Sequence, residues 1–321
     1  MALLMSGLAG GFSAEIDRTV GGVGAQWWVL PDNAHSSITG SQVFPQSDAA
    51  AIAKSPGVTR AAPLVIVLQQ VARIGGQTRN VEVFGVQIGN MGDPAVTAGH
   101  ALSGRGQVVT DVGAGAPLGA EITVGAMPLR VVGEVTDRTM LAGVPVLYMS
   151  LPDAQALAFG GRPLITAVVT RGAPAAVPAG LAVHSDQAIE RSVLNDLAGA
   201  VSSINSSKII MWLVAAMIVA ALLYVSALQR VRDFAVLKAL GSSSLALFGG
   251  LALQAIIVAL CAAAFGMIIC NFMVGLFKQP VVIPASSFAT LPAIAIAVGL
   301  FASLVALRRA TGADPAAAFS G

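Results

Sequence analysis

Residues 209–241 read IIMWLVAAMIVAALLYVSALQRVRDFAVLKALG. The first 21 of them contain no Asp, Glu, Lys or Arg; the next twelve contain Arg230, Arg232, Asp233 and Lys238. Beyond Lys238 charge disappears again until Lys278. A helix needs roughly 20 apolar residues to cross the ~30 Å hydrocarbon layer of a bilayer, and residues 209–229 meet that length. Two later runs meet it as well, 245–277 and 288–307. The first of these is overlong for one crossing, which predicts a tilt or an extension past the bilayer. The chain therefore reads as a membrane protein.

Composition agrees. Of 321 residues, 55% are hydrophobic and 11% charged, against about 25% charged in an ordinary soluble domain. Mean hydropathy is +0.79. The charge is also divided unevenly. Residues 13–207 hold 11 Lys+Arg against 14 Asp+Glu, net −3, while residues 208–321 hold 7 against 2, net +5. Basic residues lying between apolar runs suit cytoplasmic loops, which are enriched in Lys and Arg. Nucleic-acid binding would instead call for a basic patch on a folded domain, so no nucleic-acid partner is expected. Arg230, Arg232 and Lys238 place the first connection in the cytoplasm, and Arg308 and Arg309 anchor the tail there. The large N-terminal domain and the loop KQPVVIPASS (278–287) then lie outside.

The opening MALLMSGLAGGF covers roughly 18 Å as a helix and has no basic segment of the signal-peptide kind. It is expected to be the outer half of a first span whose inner half is lacking. Between it and residue 186 the runs AQWWVL, PLVIVLQQVAR, RNVEVFGVQ, QVVTD, EITVG, LRVVGEVT, PVLYM and PLITAVVT read as strands. IGGQT (74–78) reads as the turn of a hairpin. SLPDAQALAF predicts a short helix with Ser150 as N-cap, Pro152 in the first turn and Asp153 near a capping-box position. A further helix begins after Ser185, its stripe made of Ile189, Val193, Leu197, Val201 and Ile204. With Gly199 the one Gly or Pro between 186 and 229, a single helix of about 66 Å is expected, with Gly199 and SSINSSK (202–208) as the places where it could bend.

The sequence therefore divides into a partial first span (1–13), an extracytoplasmic domain (14–185), a stalk and span (186–229), a short charged helix (230–244), a span (245–277), an external loop (278–287), a span (288–307) and a cytoplasmic tail (308–321). The expected fold class is an α-helical transmembrane bundle with an inserted α+β extracytoplasmic domain, in the plasma membrane.

Catalytic and ligand signatures are lacking. GAGAPLG (113–119) has the glycines of a phosphate loop without its Lys and Ser/Thr. GGVG (21–24) has no third glycine at the dinucleotide spacing. His35, His100 and His184 stand apart from one another and from Cys261 and Cys270, so no metal site is read. No G-x-S-x-G elbow occurs, and the spans hold no ionisable relay. No catalytic residue, cofactor or metal is expected. Alanine rows such as Ala255, Ala259 and Ala263 favour close helix packing in the bilayer.

Asp233 suits an N-cap, Lys238 a last turn and Gly241 a C′ position, which makes FAVLKAL a short helix exposing Phe234, Leu237 and Leu240. Spacing leaves two readings of it equal: a helix lying in the membrane interface, and a docking surface for another protein.

RVRDFAVLKALGSSSLALFGGLALQA resembles the signature region of the FtsX/MacB-like ABC transporter permeases, in which R-x-R-[DE]-hydrophobic-[AG]-x-[LM]-[KR]-A-[LI]-G follows the second span; Arg230 to Gly241 fit that pattern. LRRATGADPAAAF (307–319) resembles the family's C-terminal arginines and Pro-containing motif. GAPLGAEITVG and LRVVGEV resemble a strand pair of its external domain. The likeness is closest to short permeases with four spans and one external domain. It implies a non-catalytic subunit that pairs with a second permease copy, as homo- or heterodimer, and with a separate ABC ATPase. In that family the helix after span two docks on the ATPase, and ATP-driven closure moves the external domain. Carried over residue by residue, the ATPase-facing set is Arg230, Arg232, Asp233, Phe234, Leu237, Lys238, Leu240 and Gly241. An extracytoplasmic accessory protein is a further partner the resemblance allows. The alternative function is an ATPase-coupled regulator or sensor of a cell-envelope partner.

Overall fold

The structure, a computed structural model, describes residues 2–34, 38–39, 42–140, 143–229, 236–237, 240–241, 243–274, 293, 296–297 and 300. The chain divides into two compact units, one of Gly11–Ala200 and one holding the described parts of 1–10 and 201–277.

The unit of residues 11–200 is built on a large mixed sheet. Its strands are β1 (Trp27–Pro31), β3 (Arg60–Ile74), β4 (Gln77–Val86), β5 (Ala98–Gly99), β6 (Gln107–Asp111), β7 (Glu121–Val124), β8 (Met127–Val135), β9 (Thr139–Met140), β10 (Val144–Ser150), β12 (Ala167–Arg171) and β13 (Leu181–Ser185). The main order is β13-β1-β12-β3-β4-β10-β6-β8-β5, with β9 beside β10. Strand β7 pairs with both β3 and β8, so β3, β4, β10, β6, β8 and β7 close on themselves as a six-stranded barrel. Two of its ladders are parallel, β4 with β10 and β6 with β8. A separate small pair joins β2 (Phe44–Pro45) to β11 (Leu164–Ile165).

Along β1, β6, β10, β12 and the second half of β4 both faces are largely buried, which is why these stretches read as apolar runs, whereas β7 and β8 alternate. Neighbouring residues go to opposite cores. Trp28, Leu64, Phe84, Val109, Tyr148 and Val169 lie in one; Val29, Val65, Val83, Val108, Leu147 and Val168 lie in the other. The first core is covered by helices α1 (Ala2–Gly21) and α4 (Asp186–Asp196) through Ile16, Val20, Ile189 and Val193. The second fills the barrel and receives α2 (Ser47–Ala53) and α3 (Leu151–Phe159) through Ile52, Leu151 and Ala154.

Local chemistry fixes the joints. Ile74 faces Gln77 across a two-residue turn in which Gly75 and Gly76 have φ of 56° and 81°, the left-handed pair that a hairpin of this type requires. Ser150 caps α3, its hydroxyl accepting from the Asp153 N–H. At Gly85 a Cβ would stand 2.2 Å from the Ala154 Cβ, so glycine lets α3 lie directly on β4. Ser185 caps α4, accepting from the Ala188 N–H.

Several expectations needed adjustment. Residues 2–13 are part of α1, which continues past the expected boundary to Gly21 because Phe12, Ile16 and Val20 find buried positions. The single helix over 186–229 is two: α4 ends at Asp196 and α5 (Ala198–Gln229) follows after Leu197. The interruption precedes Gly199; the stripe residues Ile189 and Val193 are held in the first core, with Leu197 packed at its edge. PLITAVVT forms β11 and β12 rather than one strand. Thr166 separates them, and its hydroxyl oxygen accepts from the Ile66 N–H at 2.8 Å. Helix α2 and strands β2, β5, β9 and β13 were not read from the sequence.

In the other unit, α5 and α6 (Ser244–Val274) contain stretches long and apolar enough to cross a membrane, Ala198–Ile218 and Ala252–Ile269. The last expected span, 288–307, lies outside the described residues except for four helical ones, Ala293, Ile296, Ala297 and Leu300.

Candidate functional site

The segment between α5 and α6 is described in part. Val236 and Leu237 are helical, and the Leu240 N–H donates to the Val236 carbonyl at 3.0 Å. Gly241 follows with φ of 94°, the left-handed conformation that ends a helix at C′. The next helix starts at once: the Ala246 N–H is accepted by Ser243 Oγ at 3.2 Å. Within this turn Val236, Leu237 and Leu240 are exposed, Leu240 at 79%. Arg230, Arg232, Asp233, Phe234 and Lys238 lie outside the described residues, as do Arg308 and Arg309.

Helices α5 and α6 present apolar side chains without protein cover. Ile209, Leu213, Met217 and Leu222 on α5 are 59–65% exposed, and Phe265 and Phe272 on α6 more so. In water each such side chain would cost about 1.5–3 kcal/mol relative to burial. A hydrocarbon solvent removes that cost.

In the folded domain several buried or half-buried polar side chains tie the chain together. Asp153, 6% exposed, accepts from Arg105 Nε at 3.3 Å and the Gly106 N–H at 2.8 Å. Its carboxylate thus ties a loop down instead of completing a capping box. Asp111 accepts from the Gly113 and Arg138 N–H groups at 2.7 and 2.8 Å, and burial raises its pKa. Helix α1 is bound to the loop before β10: Thr19 Oγ1 donates to the Thr139 carbonyl, the Gly143 N–H donates to Glu15, and Arg138 donates to the Arg18 carbonyl. Trp28 Nε1 donates to Asp186 at 2.8 Å and holds the start of α4. Burial raises the pKa of Glu190 on α4, and Asp186 and then Asp17 on α1 add to that, so the two helices are neighbours on the sheet.

A groove of about 400 Å³ lies where β4 and α3 meet, lined by Val86, Ile88, Leu151 and Pro152 with Arg105 on it. Among the described residues no His, Cys, Asp and Glu gather as a metal site. His100 is exposed, and burial lowers the pKa of His184. The GAGAPLG run is a short 3-10 turn, Val112–Ala114, capped by Asp111, followed by a loop. These features define a chain with a folded α+β domain and two apolar helices of membrane-spanning length, with a short apolar-faced turn between those helices.

Comparison with known proteins carries this further. Residues 1–181 match the MacB-like periplasmic core domain and residues 206–315 the FtsX-like permease C-terminal domain. Proteins described as uncharacterized ABC transporter permeases, from Mycobacterium tuberculosis and Mycobacterium bovis, are 39% identical over 321 residues, covering 100% of this chain and 92% of theirs. Among solved structures, the periplasmic region of MacB from Actinobacillus actinomycetemcomitans aligns with a TM-score of 0.39 at 14% identity, covering 56% of this chain and 98% of that one. The chain belongs to the FtsX/MacB-type family of ABC transporter permeases and is a permease subunit of that type.

Two groups escaped the sequence reading. Glu82 is a lone acid inside the apolar strand RNVEVFGVQ, and it is 2% exposed; an isolated carboxylate in a buried strand was the available signal. Asp153 was read only as part of a cap, because its loop partners are 47 and 48 residues away in sequence.

Proposed function

We propose that this permease works by mechanical transmission, with ATP hydrolysed on a separate cytoplasmic ATPase and the work delivered to the external domain. The observation that supports it is the turn between α5 and α6: Val236, Leu237 and Leu240 are exposed on a turn closed by Gly241, between two membrane-length helices. A helix lying in the interface would serve as well for topology, but the family signature from Arg230 to Gly241 favours docking. In this reading Arg230, Arg232, Asp233, Phe234, Leu237, Lys238, Leu240 and Gly241 face the ATPase. The chain crosses the membrane several times, its N-terminal domain is outside, and Arg308 and Arg309 anchor a cytoplasmic C-terminus. A second permease copy completes the complex, and the subunit itself performs no catalysis.

The apolar runs 209–229 and 245–277 contain no Asp, Glu, Lys or Arg. Charged groups in a bilayer mark ion and substrate paths, so their absence from these runs favours transmission of movement over a polar conduit. The test is the double substitution Phe234→Asp with Leu237→Asp in the full chain. ATPase co-purification is expected to be lost while the protein remains in the membrane fraction. Co-purification at the wild-type level would overturn the docking role.

A further inference from the structure

Strand β3 belongs to two structures at once. Its first part, Arg60 to Leu64, pairs with β12 of the open sheet, whereas Ala72 and Arg73 pair with β7 and close the barrel. Strand β4 runs beside β3 from Val65 to Ile74. Between them the β3–β4 register slips: Val67 faces Val83 and Gln70 faces Val81, leaving Leu68 and Gln69 opposite Glu82 alone. Such a bulge bends a strand and leaves one residue out of the ladder. Here Gln69 takes a left-handed φ of 55°, uncommon for a side chain of its kind. Its freed N–H donates to Glu82 Oε2 at 2.8 Å. The carboxyl of Glu82 thus closes the bend at which β3 leaves the sheet that carries α1 and α4 and enters the barrel.

The side chain doing this is 2% exposed. Burial disfavours a charged carboxylate, and it pushes the Glu82 pKa up to about 7 against the lesser, opposing effect of the Gln69 N–H. Strand β4 packs against β3, β10 and α3. The ionisable groups on those elements are Arg60 and Arg73, Tyr148, and Asp153 in turn, and Arg79 lies on β4 itself. None of them contributes to the shift at Glu82. Arg73 pairs with Thr78, four positions before Glu82 on β4, and Tyr148 pairs with Phe84.

We propose that Glu82 and the bulge at Leu68 and Gln69 form a proton-responsive joint between the open sheet and the barrel: with Glu82 neutral the bend stays closed, and with Glu82 ionised it opens to admit water. The sign follows from linkage. The folded-state value lies above the unfolded one, so the advantage of the closed form is complete below about 4.5 and is lost as pH rises through about 7. The joint does not depend on the ATPase reading.

The test is hydrogen–deuterium exchange of the full-length protein in detergent micelles at about pH 5.5 and about pH 8, with labelling times scaled for intrinsic exchange. Peptides over residues 65–75 are expected to lose protection by about tenfold at the higher pH, while peptides over β13 keep theirs. In Glu82→Gln the protection over 65–75 should be the same at both pH values. Equal protection at both pH values in the wild type would overturn the proposal, and that comparison needs no variant. So would a Glu82→Gln protein that keeps the wild-type pH difference.

Discussion

The second half of strand β4 and helix α5 are both mostly apolar in sequence and opposite in structure. From Val81 to Val86 every residue of β4 is buried, with alternate side chains entering two different cores. Helix α5 leaves Ile209, Leu213, Met217 and Leu222 more than half exposed. The strand is apolar because protein covers both its faces. The helix is apolar because its solvent is hydrocarbon, where backbone N–H and C=O groups must be satisfied within the segment. Hydrophobicity alone therefore does not tell a core from a span; length and continuity do.

The sharpest way to break this contrast is to remove cover in the domain. Phe84 is 1% exposed and packs on Tyr148 with ring centroids 5.7 Å apart. Phe84→Ala should cost about 3–5 kcal/mol of domain stability, read as a lowered denaturation midpoint of the purified protein. On the helix the equivalent insult is a charge rather than a cavity. Met217→Arg should cost about 2.5–3.5 kcal/mol of insertion, seen as protein lost from the membrane fraction. A truncation at the same place, Met217→Ala, should leave insertion nearly unchanged. If Met217→Arg inserts as well as wild type, α5 is not lipid-facing at that residue. The smallest effect belongs to the cap. Ser150→Ala should cost about 1 kcal/mol by freeing the Asp153 N–H, with no change in membrane association.

Much of the domain could be read in advance because its signals are local. The composition of QVVTD marks β6, the glycines of IGGQT mark the β3–β4 turn, and Ser150 and Ser185 mark helix starts. Where local signals are weak the reading failed. Strands β2, β5 and β9 are two residues long and exist only through their partners. The end of α4 at Asp196 has no Gly or Pro to announce it; the chain stays helical in character on both sides of Leu197. At the turn between α5 and α6 the sequence anticipated the left-handed Gly241 and the exposure of Leu237 and Leu240. The rest of that set was legible as a motif, because a motif lies in consecutive residues.

The sequence by itself determined that this chain enters a membrane, that two apolar helices of membrane-spanning length lie within 198–229 and 244–274, and that a glycine-closed turn lies between them. Those properties depend on length, charge and backbone preference, which act over a few residues. Only the tertiary structure decided that β3 is shared by a sheet and a barrel, that β7 closes the ring, and that Glu82 sits in the bend between them. Pairings such as β1 with β12 join residues more than a hundred positions apart. They are set by which faces bury together, and no local spacing encodes that.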